Sequence, residues 1–150
     1  MKPLNLPGYD FTFREGEDKR TFIYDDLRGK YVRLTPEEWV RQHFARYLVA
    51  ERGYRRALLS VEHGFRYQGM DRRADLVAWN RQGEARLMVE CKAPQVDIQQ
   101  ATFDQVARYN KVVGAEHLAV TNGQEHFCYT VDPAAETFRF LDGIPSFEEG

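Results

Sequence analysis

The pattern of apolar and polar positions divides the chain into short alternating runs and two longer stretches with helical spacing. Residues 9–34 alternate apolar with polar side chains around turn-forming residues, which predicts a β-meander. In residues 39–48, apolar side chains recur every three or four positions, as on one face of a helix. Thr35 at the N-cap, Pro36 at the first helical position and a closing Gly53 predict the ends of that helix.

The remaining runs predict further strands and one more helix. The predicted strands cover residues 57–62, 75–79, 85–92, 116–121, 127–131 and 137–141. A helix is predicted over residues 98–113 and ends at Gly114. Because this helix separates the third of these strands from the fourth, the two can pair in parallel. We therefore predict the α/β (α+β) class, with a mixed sheet flanked by helices.

Length and composition agree with one ordinary globular domain. We expect a single domain over residues 1–150, with 1–34 as a meander extension and 35–145 as the core. The chain is 43% hydrophobic and 29% charged, and its N-terminus, Met1 to Asn5, lacks the apolar stretch of a signal peptide. A cytoplasmic location is therefore expected, with no membrane segment. Cys91 and Cys128 stand in apolar runs and are predicted to be buried free thiols.

The charges are distributed unevenly along the chain. The net charge is −2, yet residues 41–92 carry eleven Arg or Lys against six Asp or Glu. A local excess of arginine favours binding to a phosphate backbone, although solvated surface arginines would give the same pattern. The predicted DNA-binding residues are Arg55, Arg56, Arg72 and Arg73.

Candidate chemistry lies where two of the predicted strands carry acids. Glu90 and Lys92 are two residues apart on one strand, so their side chains project from the same face. Asp75 opens the preceding strand, whereas Asp71 falls in what reads as a solvated loop, so Asp75 is the preferred partner. Two carboxylates beside a lysine can hold a hard divalent cation and activate a water molecule.

These residues and their order resemble the PD-(D/E)XK nuclease superfamily, whose restriction-endonuclease-like core has the order αβββαβ. Asp75 matches the first acid and the run from Glu90 to Lys92 matches the (D/E)XK element, while Ala74 replaces the usual proline. Residues 33–42, with the Thr-Asn-Gly run 121–123, are similar to the N-terminal nuclease domain of type I restriction enzyme R subunits. The resemblance covers about residues 30–145.

The resemblance implies roles for individual residues. Asp75 and Glu90 would bind Mg²⁺ or Mn²⁺, with the backbone carbonyl of Cys91 as a third ligand, and Lys92 would orient or deprotonate the attacking water. Gln105 and Tyr109, four apart on the second helix, match the Gln-x-x-x-Tyr motif of the RecB-like branch. They would line the site, and this interpretation is preferred to the alternative in which Tyr109 is a core aromatic and Gln105 its neighbour.

Glu38 has two interpretations at this stage. The resemblance implies an acid on the first helix that points into the site. The spacing from Thr35 to Glu38 is equally that of a capping box, in which Glu38 serves only to begin the helix.

The function implied is that of a Mg²⁺-dependent endonuclease that hydrolyses DNA in restriction-modification or DNA processing. The alternative is a catalytically silent DNA-binding or partner-binding domain of the same fold, because such folds are also used without catalysis. Expected partners are DNA and a restriction-type motor subunit. A homodimer is a further expectation, since cleavage of both strands by one site per chain calls for two copies.

Overall fold

We describe residues 3–147 of a computed structural model. The predicted meander is confirmed as a three-stranded antiparallel sheet of β1 (Phe13–Glu15), β2 (Thr21–Asp25) and β3 (Lys30–Arg33). The ends of the predicted domain, residues 1–2 and 148–150, lie outside the described residues, so the start of the stretch from Met1 to Asn5 is not described either.

The first helix, α1 (Pro36–Arg52), has the predicted bounds. The Thr35 hydroxyl accepts a hydrogen bond from the backbone N–H of Glu38 at 3.1 Å, which confirms the N-cap. At the other end Gly53 adopts a left-handed φ of 75°, a conformation that glycine reaches without steric cost. Local sequence therefore fixes both ends of this helix.

A six-stranded sheet forms the centre of the protein. Its strands lie side by side in chain order and are β4 (Leu59–Tyr67), β5 (Met70–Trp79), β6 (Ala85–Cys91), β7 (His117–Thr121), β8 (His126–Asp132) and β9 (Thr137–Leu141). All neighbours are antiparallel except β6 and β7, which pair in parallel and are connected along the chain by α2 (Gln100–Val113). The predicted αβββαβ order and the parallel crossover are both confirmed.

Both faces of this sheet are covered. Successive residues of a strand point to opposite faces, so Val89 packs into the core beneath α1 and Met88 into the core beneath α2. Phe44 of α1 and Val106 of α2 are completely buried in these two layers. Cys91 and Cys128 are buried free thiols in the α1 layer, as predicted.

The β4–β5 hairpin is longer than predicted, and here the sequence interpretation was wrong. Residues 70–73 belong to a strand and not to a solvated loop, because β5 begins at Met70 and β4 extends to Tyr67. Gln68 and Gly69, with φ of 51° and 77°, make the tight turn between them. Asp71 is nevertheless exposed, and it pairs with Arg66 at 2.9 Å.

Smaller boundaries also differ from prediction by one or two residues. Strand β6 ends at Cys91 and not at residue 92, α2 begins at Gln100 and not at 98, and β4 begins at Leu59 after a short 3₁₀ turn. Strand β7 begins one residue later than predicted, and β8 is one residue longer at each end. Within residues 3–147, no helix is long and apolar enough to cross a membrane.

Candidate active site

The candidate site is centred on Asp75, where β5 and β6 part. The two strands pair as far as Leu76 and Val89. Just beyond this last pair, the Oδ2 atom of Asp75 on β5 accepts a hydrogen bond from the backbone N–H of Cys91 on β6 at 2.7 Å. The two strands are therefore joined here by a side chain of β5 and not by its backbone. This bond fixes the carboxylate in the gap that opens between the strands.

Asp75 also lies at an interruption on its other side. The β4–β5 register pairs Val61 with Leu76 and His63 with Ala74 but omits the pair between them, Glu62 and Asp75. Glu62 has a left-handed φ of 54°, which is uncommon for a residue with a side chain. The sheet is thus locally irregular on both sides of the acid.

Three of the predicted catalytic residues meet at this gap. Glu90 and Lys92 are half-buried, and Asp75 and Lys92 both lie close enough to Glu90 to shift the pKa of its carboxyl. Burial, and then the negative charge of Asp75, raise the pKa of Glu90 to about 8, whereas Lys92 acts in the opposite direction. The backbone N–H of Lys92 donates to the Thr121 carbonyl at 2.8 Å, which ties this residue to β7.

The paired carboxylates are a suitable donor set for a magnesium ion. In the described part of the chain, no three His, Cys, Asp or Glu side chains are grouped so as to hold a metal. Magnesium needs fewer protein ligands, since it is commonly bound by one or two carboxylates and keeps several waters. Asp75 and Glu90 meet that requirement, and the mutual repulsion of two carboxylates is relieved by a cation between them.

Arg41 on α1 links Asp75 to two further acids. Its guanidinium lies 3.4 Å from Oδ1 of Asp75 and 3.2 Å from Oε1 of Glu62, and it also pairs with Glu38. Burial alone would lower the pKa of Arg41, but the neighbouring acids, above all Glu38, raise it further above its ordinary value. A permanent positive charge therefore stands beside the first acid of the site.

Glu38 is buried within this ionic network. Its carboxylate accepts a hydrogen bond from Gln42 at 2.8 Å and forms ion pairs with Arg41 and, at 2.8 Å, with Arg28. Burial opposes its ionisation, yet the contacts with Arg41 and Arg28 lower the pKa of Glu38. The backbone N–H of Glu38 thus takes part in the N-cap of α1, while its carboxylate is connected to Asp75 through Arg41, which pairs with both acids.

Tyr109 lies on the far side of the β4–β5 hairpin from this network. Its ring packs edge-on against Phe65 and Tyr67, with centroids 5.4 and 5.2 Å away, and its hydroxyl accepts from Arg72 Nε at 3.2 Å. Gln105 is half-buried, one helical turn earlier on α2. The contacts made by Tyr109 are those of a brace between α2 and the hairpin.

The four predicted DNA-binding arginines have different surroundings. Arg55 is exposed at the start of the 3₁₀ turn before β4, and Arg56 donates to the Asp26 carbonyl at 2.9 Å. Arg72 contacts Tyr109, whereas Arg73 points to the other face of the hairpin and pairs with Glu62 at 3.1 Å. Only Arg73 joins the network around Asp75.

Sequence reasoning missed three residues of this network, namely Arg28, Arg41 and Glu62. Arg41 could have been found, because it stands three positions after Glu38 and therefore on the same face of α1. Arg28 and Glu62 come from a turn and a strand distant in sequence, and no local pattern marks them.

Most of the chain matches a known protein family. A family model for the type I restriction enzyme R protein N terminus matches residues 36–145. The chain belongs to this family. The R-protein family match contains every predicted catalytic residue, from Glu38 to Tyr109, and leaves the meander outside. The predicted resemblance to R subunits is confirmed.

A solved structure shares the fold of this R-protein family member. It is a fragment described as the HsdR subunit of a type I restriction enzyme from Vibrio vulnificus YJ016, with 20% sequence identity and a TM-score of 0.56. The match covers 77% of the present chain and 24% of the other, so the chain spans about a quarter of that structure's length. No curated protein matches the chain.

Proposed function

We propose that this chain is a metal-dependent endonuclease that hydrolyses DNA phosphodiester bonds in restriction. The observation that carries the proposal is the meeting of Asp75, Glu90 and Lys92 at the parting of β5 and β6. Membership of the R-protein N-terminal family supports the link to restriction. It also supports a partnership with the motor subunit of a restriction enzyme, and a homodimer stays a prediction.

The protein's own residues divide the chemistry among them. Asp75, oriented by the Cys91 N–H, and Glu90 would hold Mg²⁺ or Mn²⁺, with the Cys91 carbonyl as an expected third ligand. The bound ion supplies a Lewis acid and lowers the pKa of a coordinated water. Lys92 orients the attacking water beside Glu90 and offsets the charge that develops on the phosphate. Gln105 and Tyr109 remain predicted site residues, as does Glu38.

The test is cleavage of supercoiled plasmid and single-stranded DNA with Mg²⁺ or Mn²⁺, supported by calorimetry of metal binding. Asp75→Asn should abolish cleavage and weaken metal binding, because it removes a charged ligand. Lys92→Ala should abolish cleavage while metal binding persists. Asp142→Asn and Lys111→Ala are matched controls, since both residues are exposed and lie outside the site.

One observation favours the alternative of a catalytically silent DNA- or partner-binding domain. The Asp75 carboxylate already has two partners, the Cys91 N–H and the Arg41 guanidinium, and is satisfied without a metal. In that case the folded wild type would bind DNA but neither bind Mg²⁺ nor cleave. Metal binding together with cleavage that depends on Asp75 would exclude this alternative.

A further inference from the structure

The β4–β5 hairpin runs past the site as a two-stranded ribbon. The strand β5 begins at Met70, five residues before Asp75, which is a length of about 17 Å at the usual rise of an antiparallel strand. Over this length the register of β5 is with β4, since its pairing with β6 begins at Leu76. The ribbon therefore leads from solvent directly to the first acid of the site.

One face of the ribbon is occupied by α2. Phe65, Tyr67 and Arg72 all contact Tyr109 of that helix. Cross-strand partners such as Phe65 and Arg72 share a face, so these three residues brace this side of the ribbon against α2. The brace holds the ribbon in a defined direction relative to the site.

The opposite face is open and continuous with Asp75. Asp71, Arg73 and Asp75 are spaced two residues apart along β5, so their side chains lie on the same face of the ribbon. Their cross-strand partners on this face are Arg66 and Gly64. The side chains of Arg66 and Arg73 are 67% and 71% exposed, so both cations are accessible from solvent.

Gly64 lies on this open face, and nothing within the fold requires a glycine there. Its φ is not in the left-handed region, and a Cβ added there would meet nothing within 4 Å. Neither backbone conformation nor crowding within the fold therefore calls for glycine, which weakens the interior of a strand. A bare backbone at such a position suits the close approach of another chain.

We propose that this open face, with Gly64 at its centre, is the track on which the sugar–phosphate backbone of DNA reaches Asp75 and Glu90. Arg66 and Arg73 contact the phosphates. Their present partners, Asp71 at 2.9 Å and Glu62 at 3.1 Å, form exposed ion pairs, which are weak and can be replaced by a phosphate. The inference rests on the proposed nuclease function and identifies the path of its substrate.

The experiment measures the affinity of the full chain for a fluorescently labelled DNA duplex by anisotropy, without divalent metal. Gly64→Glu places a repelling carboxylate on the track and should weaken binding at least about tenfold. Gly143→Glu is the matched control and should stay within about twofold of wild type, because Gly143 also has open space and ordinary φ. It follows β9, at the other edge of the sheet from β4.

A second variant tests the track in the opposite direction. Asp71→Asn removes an acid from the open face and should tighten DNA binding by about threefold, whereas Asp142→Asn should not. This arm remains decisive if circular dichroism shows that Gly64→Glu does not fold. Weaker binding by folded Gly64→Glu, or tighter binding by Asp71→Asn, supports the track.

The inference is overturned if folded Gly64→Glu and Asp71→Asn both bind DNA as the wild type does, or if the wild type binds no DNA. If Gly64→Glu does not fold, wild-type binding by Asp71→Asn alone overturns it. Since no metal is present, the result is independent of catalysis. Binding that depends on Gly64 in a protein that never cleaves would refute the nuclease and retain the track. Cleavage that is unaffected by Gly64→Glu would refute the track alone.

Discussion

Replacing Arg41 by methionine is expected to tighten Mg²⁺ binding while it destabilises the fold. Methionine retains apolar bulk but removes the charge. Because the Arg41 guanidinium lies 3.4 Å from Asp75, it would repel any cation held by Asp75 and Glu90. The same guanidinium pairs with the buried Glu38, so its loss leaves that acid with fewer partners. Mg²⁺ affinity should therefore rise while the stability of the fold falls. A variant that is only misfolded would lose both, so the two measurements distinguish the charge effect from a loss of structure.

The structure sets the size of the effect on metal affinity. Two unit charges about 4 Å apart interact by about 4 kcal/mol at an effective dielectric constant near 20. The Asp75 side chain is 22% exposed, and the acids paired with Arg41 offset part of its charge, so the net effect is smaller. We expect about 1.4 kcal/mol, which lowers the Kd for Mg²⁺ roughly tenfold.

The loss of stability follows from the partners that remain. Removing one member of a buried ion pair costs about 3–5 kcal/mol when the other is left alone. Glu38 keeps Arg28 and Gln42, each at 2.8 Å, so we expect a loss of about 1–3 kcal/mol in the free energy of unfolding.

The assays are calorimetric titration with Mg²⁺ and urea denaturation. Arg46→Met is the matched control on the same helix, because Arg46 pairs with the half-exposed Asp26 at 3.2 Å. It should leave Mg²⁺ affinity unchanged and cost less than about 1 kcal/mol. If folded Arg41→Met binds Mg²⁺ no more tightly than the wild type, the idea that Arg41 competes with the cation is wrong.

Two further predictions concern the core. Tyr129→Phe should lower the free energy of unfolding in urea by about 1–2 kcal/mol, because the buried hydroxyl donates to the Phe103 carbonyl at 2.9 Å; an unchanged midpoint would contradict this. Burial raises the pKa of the Cys128 thiol to about 12, so it stays protonated at pH 8. Together with its burial, this predicts that Ellman's reagent labels Cys128 only after unfolding, and rapid labelling of native protein would show otherwise.

The elements predicted best are those whose limits are set by neighbouring residues. Thr35, Pro36 and Gly53 specify α1 at both ends because capping and the left-handed conformation act within one turn of helix. The parallel pairing of β6 and β7 also follows from local information, since the helix between them leaves room for the crossover.

The hairpin was underestimated because its turn carries a weak signal. Gln68 is not a usual turn residue, and the charged run of Asp71, Arg72 and Arg73 that follows the turn is typical of a solvated loop. Its other face is buried by Tyr109 on α2, a contact between residues distant in sequence. The meeting of Asp75 with Glu90 was predictable from motif spacing, whereas its partnership with Arg41 depends on how α1 docks on the sheet.

The position of Arg28 has a consequence for protein engineering. The family match begins at residue 36, but Arg28 belongs to the turn between β2 and β3 that precedes it. From there Arg28 pairs with Glu38 at 2.8 Å and lies 3.6 Å from Glu62. A chimera grafted at the family boundary would therefore carry Glu38 without one of its two cations. A domain transferred into another protein should therefore include the three strands of the meander, which precede the start of the family match.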